Sequence, residues 1–267
     1  MINVSVVIPS IGRESLVPAV RSVKSQAGVN LQIIVVDDSP GQKINIQGVQ
    51  VLRTGGNKGV SFARNLGVSE ATGNWISFLD DDDTFVPDKL FKQINEMIDR
   101  NWDLSYTSSF LIGHKKMRPK KIITPGADPL TQIYSGNNFF GSFYYLPLPS
   151  LVVSKEVSRF LIFDEALSER EDLDYAHQAY KKGFVIGQLS EPLVLIRKEP
   201  KRSLARPSIH QDIGWANYLS DIETNLAVRF LFFTALRNRL WRRDFYGAML
   251  IMKSLLKFFI IKNKKIL

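Results

Sequence analysis

Residues Trp75 to Asp83 read W-I-S-F-L-D-D-D-D. Trp75, Ile76, Phe78 and Leu79 make a short apolar run rich in strand formers, and it ends abruptly in the aspartates Asp80 to Asp83. A buried strand that ends in carboxylates presents them at the carboxyl edge of its sheet, where open α/β sheets bind ligands. Neighbouring negative charges repel one another, so something cationic is expected to hold them. Oxygen-only donors suit a hard divalent cation such as Mg²⁺ or Mn²⁺, which usually binds through one or two carboxylates plus substrate phosphates. Taken alone, the same residues would also make a solvated acidic turn ahead of a helix, with Pro87 in its first turn and Asp88 near its start.

Upstream, Val4 to Pro9 (V-S-V-V-I-P) and Leu31 to Val36 (L-Q-I-I-V-V) read as buried strands. The second also ends in carboxylates, Asp37 and Asp38. Between them, Leu16 to Gln26 has helical spacing, with Leu16, Val20 and Val23 on one face. Val49 to Leu52 is a third short strand, Gly55 to Gly59 a turn, and Val60 to Glu70 a helix. The turn G-G-N-K-G lacks the G-x-x-x-x-G-K-[ST] pattern of a phosphate loop, and read alone it is turn chemistry. Strands alternating with helices imply a mostly parallel, helix-covered α/β sheet. Asp38 and Asp80 to Asp83 would share one edge of it and line a crevice.

Downstream, Leu90 to Ile98 reads as a helix with Leu90, Ile94 and Met97 inward, and Leu104 to Ile112 as a strand. A basic turn follows from His114 to Lys121. From there to Leu151 the pattern is irregular and aromatic, fitting either a substrate-lining insertion or an aromatic core segment. Ser168-Glu169-Arg170-Glu171 fits a capping box opening a helix from Asp172 to Lys182, with Gly183 at its end. Glu171 then has a local structural duty, and Asp172 beside it has none. Phe184 to Ile196 is strand-like. Asn225 to Leu240 and Phe245 to Ile261 read as helices.

The composition is that of a globular protein, 45% hydrophobic and 23% charged, over 267 residues. Without cysteine there are no disulfides or thiolate metal sites, which fits a reducing compartment. No signal peptide is read at the N-terminus. The net charge of +9 is unevenly placed. Residues 1–196 hold 20 Lys and Arg against 21 Asp and Glu, whereas residues 197–267 hold 15 against 5, a net of +10. That asymmetry points to a polyanionic partner surface. Nucleic acid is disfavoured because the positive charge is interleaved with apolar runs such as Phe230 to Phe233. In the last helix Lys253 and Lys257 break the apolar run, so it is a poor membrane span and fits an interfacial or partner-packed helix.

The ordered blocks V-S-V-V-I-P-S, V-V-D-D-S, N-K-G-V-S-F-A-R-N-L-G, G-N-W-I-S-F-L-D-D-D-D-T-F-V-P-D-K-L, F-D-E and E-D resemble the family 2 glycosyltransferases of GT-A fold. The resemblance runs from Val4 to Gly183. It implies an inverting transferase that uses a nucleotide-sugar donor, a UDP-sugar by preference, and a glycan or lipid-linked acceptor in cell-surface polysaccharide synthesis. It implies that Pro9 and Ser10 lie against the nucleotide and that Asp38 accepts from the base. Gly59 and Arg64 fall on the nucleotide and diphosphate side. Asp80 and Asp82 match the ends of a D-x-D motif, the first on the ribose and the second on the metal, Mg²⁺ or Mn²⁺, with Asp81 between them. Asp172 matches the general base, with Glu171 next to it. Many members carry a His in the loop after the final strand; here it reads R-K-E-P-K-R-S-L-A-R, so Lys198, Lys201, Arg202 and Arg206 are candidates to neutralise phosphate instead. A sugar-phosphate nucleotidyltransferase would want a Gly- and Lys/Arg-rich loop after the first strand, and I-P-S-I-G-R is a poor one. A silent membrane-associated scaffold would not need both Asp82 and Asp172.

The expected organisation is a nucleotide-sugar-binding part over 1–108, an acceptor-binding part over 109–200 and a basic helical extension over 201–267. The expected location is the cytoplasmic face of the cell membrane, with the C-terminal helices as a peripheral membrane contact or a homodimer interface.

Overall fold

A computed structural model of the protein describes residues 1–41, 44–112, 116–136, 144–167, 169–197 and 208–264. The basic loop singled out above, apart from Arg197, lies outside them. The strands are β1 (Ile2–Ser10), β2 (Val29–Asp37), β3 (Gln50–Arg53), β4 (Trp75–Phe78), β5 (Thr84–Phe85), β6 (Leu104–Ile112), β7 (Lys116–Arg118), β8 (Val152–Ser154) and β9 (Ile186–Arg197). The helices are α1 (Leu16–Lys24), α2 (Val60–Ser69), α3 (Lys89–Asp99), α4 (Pro129–Ser135), α5 (Lys155–Phe160), α6 (Glu171–Lys181), α7 (Ile209–Ile222), α8 (Thr224–Phe230), α9 (Arg237–Trp241) and α10 (Phe245–Lys264).

The chain divides into two compact units. One comprises Met1–Ala127 and Tyr145–Lys198, the other Asp128–Tyr144 and Glu199–Leu267, so segment 109–200 contributes to both.

The first unit holds one sheet with strand order β3-β2-β1-β4-β8-β6-β9-β5, and β7 hangs on β6. Strands β3, β2, β1 and β4 run parallel. The apolar runs of β1, β2 and β4 are buried on both faces, as parallel strands under helices must be, whereas the edge strand β3 is only partly buried. Strand β8 is antiparallel to both β4 and β6, and joins the parallel half to the β6–β9 pair. The α/β class and the parallel N-terminal half of the sheet are therefore as expected. The added strands β7 and β8 are three residues each, too short for a periodic signal. Helix α3 has the expected inward face, with Leu90, Ile94 and Met97 fully buried. Gln93 is buried on it too, because its amide nitrogen donates to Ser105 O at 3.0 Å and Ser150 O at 3.0 Å. Asp88 precedes α3 in a left-handed conformation and makes no side-chain cap, contrary to the helix-start reading.

Helix α2 lies close against β1 and β2 at Gly67. A Cβ there would sit 2.3 Å from Val7 Cγ1 and 3.2 Å from Val36 Cγ2. This close approach fixes the depth of α2, and with it the position of Arg64 one turn earlier.

In the second unit α4 packs on the C-terminal helices. Trp215 Nε1 donates to Tyr134 Oη at 2.8 Å, and Arg229 donates to the last carbonyls of α4, Tyr134 O at 2.9 Å and Ser135 O at 2.6 Å. The Tyr134 and Phe230 rings meet edge-on at 5.5 Å. Residues Leu231–Leu236 form a π-helical turn that joins α8 to α9. Helix α7 was missed: its mixed surface, with Trp215, Ala216 and Leu219 buried among polar residues, has little apolar periodicity.

Gly67→Ala should overpack the α2–sheet contact and destabilise the protein by about 1–3 kcal/mol. Urea denaturation measures it; an unchanged midpoint would show that α2 can move away from the sheet without cost.

Candidate active site

Strands β1, β2 and β4 end at one edge. Their register sets Ser10 opposite Asp37 and Val7 opposite Phe78, and Asp38 N donates to Ser10 O at 2.8 Å. This places Pro9, Ser10, Asp38 and the acidic run together, as the sequence implied. The Asp38 carboxylate gathers the turn ahead of α2. It accepts from Lys58 N at 2.8 Å, from Gly59 N at 2.9 Å and from the Thr54 hydroxyl. Gly59, at φ +95°, holds a backbone conformation that side chains disfavour, at the entry to α2.

The aspartates of the acidic run have distinct surroundings. Asp80 accepts from Arg64 Nη2 at 3.0 Å. Asp81 is buried and accepts from Ser10 Oγ at 2.6 Å and Arg13 Nη1 at 3.0 Å. Asp82 has a longer contact to Arg13 Nη1, 3.5 Å. Asp83 is buried and accepts from Arg197 N at 2.9 Å. Burial pushes the Asp83 carboxyl up to about 8, and repulsion from Asp80 adds to it. Burial also raises Asp82, with Asp80 and Asp81 repelling it, and Arg13 opposes both effects. Arg13 and Arg64 are thus two cations that the run required, and they leave negative charge over.

That remainder suits a divalent cation. The Asp80 and Asp82 side chains are 37% and 25% exposed, so both can face a ligand, whereas Asp81 at 6% is enclosed by Ser10 and Arg13. Among the described residues, no group of three or more His, Cys, Asp or Glu side chains could hold a metal by itself.

The other side of the site is the start of α6. Helix α6 begins at Glu171, with Arg170 at the cap position in a left-handed conformation and making no side-chain cap; the capping-box reading rests on Ser168, which lies outside the described residues. The Glu171 carboxylate accepts from Arg64 Nη1 at 2.8 Å. Asp172 is partly buried, and one oxygen accepts from Leu173 N at 2.8 Å. Withdrawal from water, with the neighbouring Glu171 charge, raises its carboxyl to about 7. Arg64 is itself buried and lies 5.4 Å over the Phe163 ring.

The sequence reading missed Arg13, Tyr106 and Tyr145. The hydroxyls of both tyrosines are raised chiefly by burial, and the Asp172 charge acts on each. Arg13 follows the end of β1, which was a usable signal. Nothing in the pattern marks Tyr106, which sits on β6, whereas Tyr145 falls in the aromatic segment read above as a substrate-lining insertion or a core segment, without being distinguished there from its aromatic neighbours.

Residues 5–147 match the family described as Glycosyl transferase family 2, and the chain belongs to that family. It is 27% identical over 219 residues to an uncharacterized glycosyltransferase of Haemophilus influenzae, covering 74% of this chain and 69% of the relative. It spans a smaller share, 20%, of longer Rickettsia glycosyltransferases. The amylovoran biosynthesis glycosyltransferase AmsB of Erwinia amylovora is 27% identical over 217 residues, covering 72% of this chain and 68% of AmsB. The fold is similar to that of S. aureus TarS residues 1–349, solved in complex with UDP-GlcNAc. The TM-score is 0.68 at 17% identity, covering 96% of this chain and 80% of TarS 1–349.

Arg64→Met should destabilise the protein by about 3–5 kcal/mol, because Asp80 and Glu171 lose their shared cation in a partly buried setting. Arg64→Lys should recover part of that loss, since an ammonium on a flexible stem cannot span two carboxylates as a planar fork does. Chemical denaturation of both variants checks the order. Equal stability of the lysine variant and the parent would show that the fork geometry is immaterial.

Proposed function

We propose that the protein is an inverting glycosyltransferase that moves a sugar from a UDP-sugar to a hydroxyl of a glycan or lipid-linked acceptor in cell-surface polysaccharide synthesis. The observation that carries this reading is Arg64. It binds both Asp80, after β4, and Glu171, at the start of α6, so a nucleotide-side group and the residue next to the candidate base share one guanidinium. Family membership supports the transferase chemistry. The polysaccharide role of AmsB and the UDP-GlcNAc bound by TarS support the acceptor and donor classes.

Pro9, Ser10 and the Asp38-held turn through Gly59 would form the nucleotide side, with Asp38 accepting from the base. Asp80 would meet the ribose, and Asp82, with Asp80, would hold Mg²⁺ or Mn²⁺. That cation would supply Lewis-acid stabilisation of the departing diphosphate. Asp172 would take the acceptor hydroxyl's proton as the oxygen attacks the anomeric carbon from the face opposite the leaving group. Inversion follows from that single displacement. A carboxylate raised to about 7 is well matched to proton abstraction near neutral pH. Glu171, already bound to Arg64, would fix the start of α6 and so the aim of Asp172.

The work would take place at the cytoplasmic face of the membrane, near a lipid-linked acceptor. Among the described residues no helix is long and apolar enough to cross a bilayer. Contact would be peripheral, through the basic C-terminal helices; a homodimer is the competing use of the same helices. Nucleic acid is not a partner in this reading.

Asp172 works as a base only when ionised, so kcat/KM should rise with pH up to about 7 and then level off. Asp172→Asn should lose roughly 10²-fold or more in turnover with donor affinity unchanged. A matching loss for Glu171→Gln at unchanged stability and an unchanged pH profile for the parent would move the base elsewhere.

Asp82→Asn should remove the metal dependence of UDP binding, measured by calorimetry with Mg²⁺ or Mn²⁺ against chelator, and leave the thermal transition in place. Metal-dependent UDP binding that persists in this variant would exclude Asp82 as a principal ligand.

A further inference from the structure

Helix α10 is apolar on two faces. Toward α7, α8 and the π-helical turn it buries Ala248, Ile251, Leu255 and Phe258. On another face, Phe245, Met249, Met252, Leu256 and Ile260 recur at steps of four, three, four and four residues. That spacing makes one stripe along a helix. These side chains are 45–70% exposed, so the fold of the second unit leaves the stripe uncovered. Trp241 and Tyr246 extend it at its N-terminal end, at 70% and 68% exposure. A contiguous apolar surface of this kind marks an interaction site.

We propose that this stripe is a docking surface for an anionic lipid bilayer, with α10 lying in the plane of the interface. Charge decides the occupant. Lys253 and Lys257 are exposed along one flank of the stripe, and Arg242 and Arg243 are exposed beside Trp241. Helix α10 contains no Asp or Glu. The nearby Asp244 is committed to Arg239 at 3.0 Å. Exposed cations bordering an apolar face without counter-charges complement a negatively charged headgroup layer. Trp and Tyr side chains combine an apolar body with a polar tip, which suits the headgroup boundary. A second copy seated on the stripe would bring like-charged lysine flanks together with nothing on α10 to offset them. The inference deepens the peripheral membrane contact proposed above and does not depend on the donor or acceptor assignment.

Flotation of the full chain with phosphatidylglycerol vesicles, against phosphatidylcholine vesicles, tests it without an activity readout. The parent should float with phosphatidylglycerol at low salt, and added salt should weaken the binding. Lys253→Gln with Lys257→Gln should weaken it about thirtyfold, two surface charges' worth. Met252→Asp with Leu256→Asp should abolish it while the thermal transition stays in place, because both side chains are exposed. Failure of the parent to float at low salt would overturn the proposal, as would undiminished flotation of the aspartate variant. A parent that elutes as a dimer, does not float, and becomes a monomer in the aspartate variant would assign the stripe to a second copy instead. Catalysis can survive or fail in any of these cases, so the lipid result stands apart from the transferase reading.

Discussion

Taking a guanidinium out of water is costly, and Arg64 bears that cost because two carboxylates come with it. One, Asp80, follows β4; the other, Glu171, opens α6 and lies 107 residues beyond Arg64. Around this ion triad the chain has built an aromatic floor. Phe163 lies beneath Arg64, meets Phe78 edge-on at 5.2 Å and stacks on Tyr175 at 4.5 Å. Asn65, the next residue on α2, grips the backbone of Phe163 from both sides, donating to its carbonyl and accepting from its amide at 2.9 Å each. The triad therefore rests on side chains from β4, α2 and α6 and on the segment before α6. Whatever fixes Arg64 also fixes the distance between the two acidic sides of the site.

The remaining carboxylates show why such a site is poised for a ligand. Asp81 is satisfied by Ser10 and Arg13, and Asp80 by Arg64. Asp81, Asp82 and Asp83 all have raised carboxyls whose first cause is burial, so their charged forms are disfavoured. In the proposed reading a cation bound with a diphosphate would favour those charged forms, and binding and ionisation would then be coupled.

Much of the parallel half was legible because its strands are buried on both faces and read as continuous apolar runs. The acidic strand ends gave the functional edge for the same reason: a carboxylate after such a run has only the sheet's edge to occupy. What failed was local reasoning where tertiary contacts prevail. The Glu171 carboxylate is engaged by a guanidinium far away in sequence, a partner that no local rule supplies. Lys89 is fully buried, with Nζ 3.0 Å from Ser77 Oγ and 4.3 Å from the centre of the Phe85 ring, and no periodicity argument places a lysine there. Strand β8 adds three residues between β4 and β6, and its partners are set by the sheet, not by its own sequence.

Glu171 and Asp172 are neighbours of the same chemical type, and their surroundings separate them. Glu171 faces a cation at 2.8 Å and is held by it. Among the described residues, Asp172 accepts only from backbone amides at the start of its own helix, with a like charge beside it and reduced access to water, and its carboxyl rises to about 7. Two adjacent carboxylates with environments that push them apart can divide structural and acid–base duties, where two in the same environment could not. The division depends on Arg64 reaching Glu171 and not Asp172. That choice is made by the helical turn between successive residues, which points their side chains about 100° apart around α6. A shift of α6 by one residue would exchange the two roles. The anchoring of α6, through the stacking of Tyr175 on Phe163, therefore bears on which of the two carboxylates Arg64 engages, and in the proposed reading on the aim of the base.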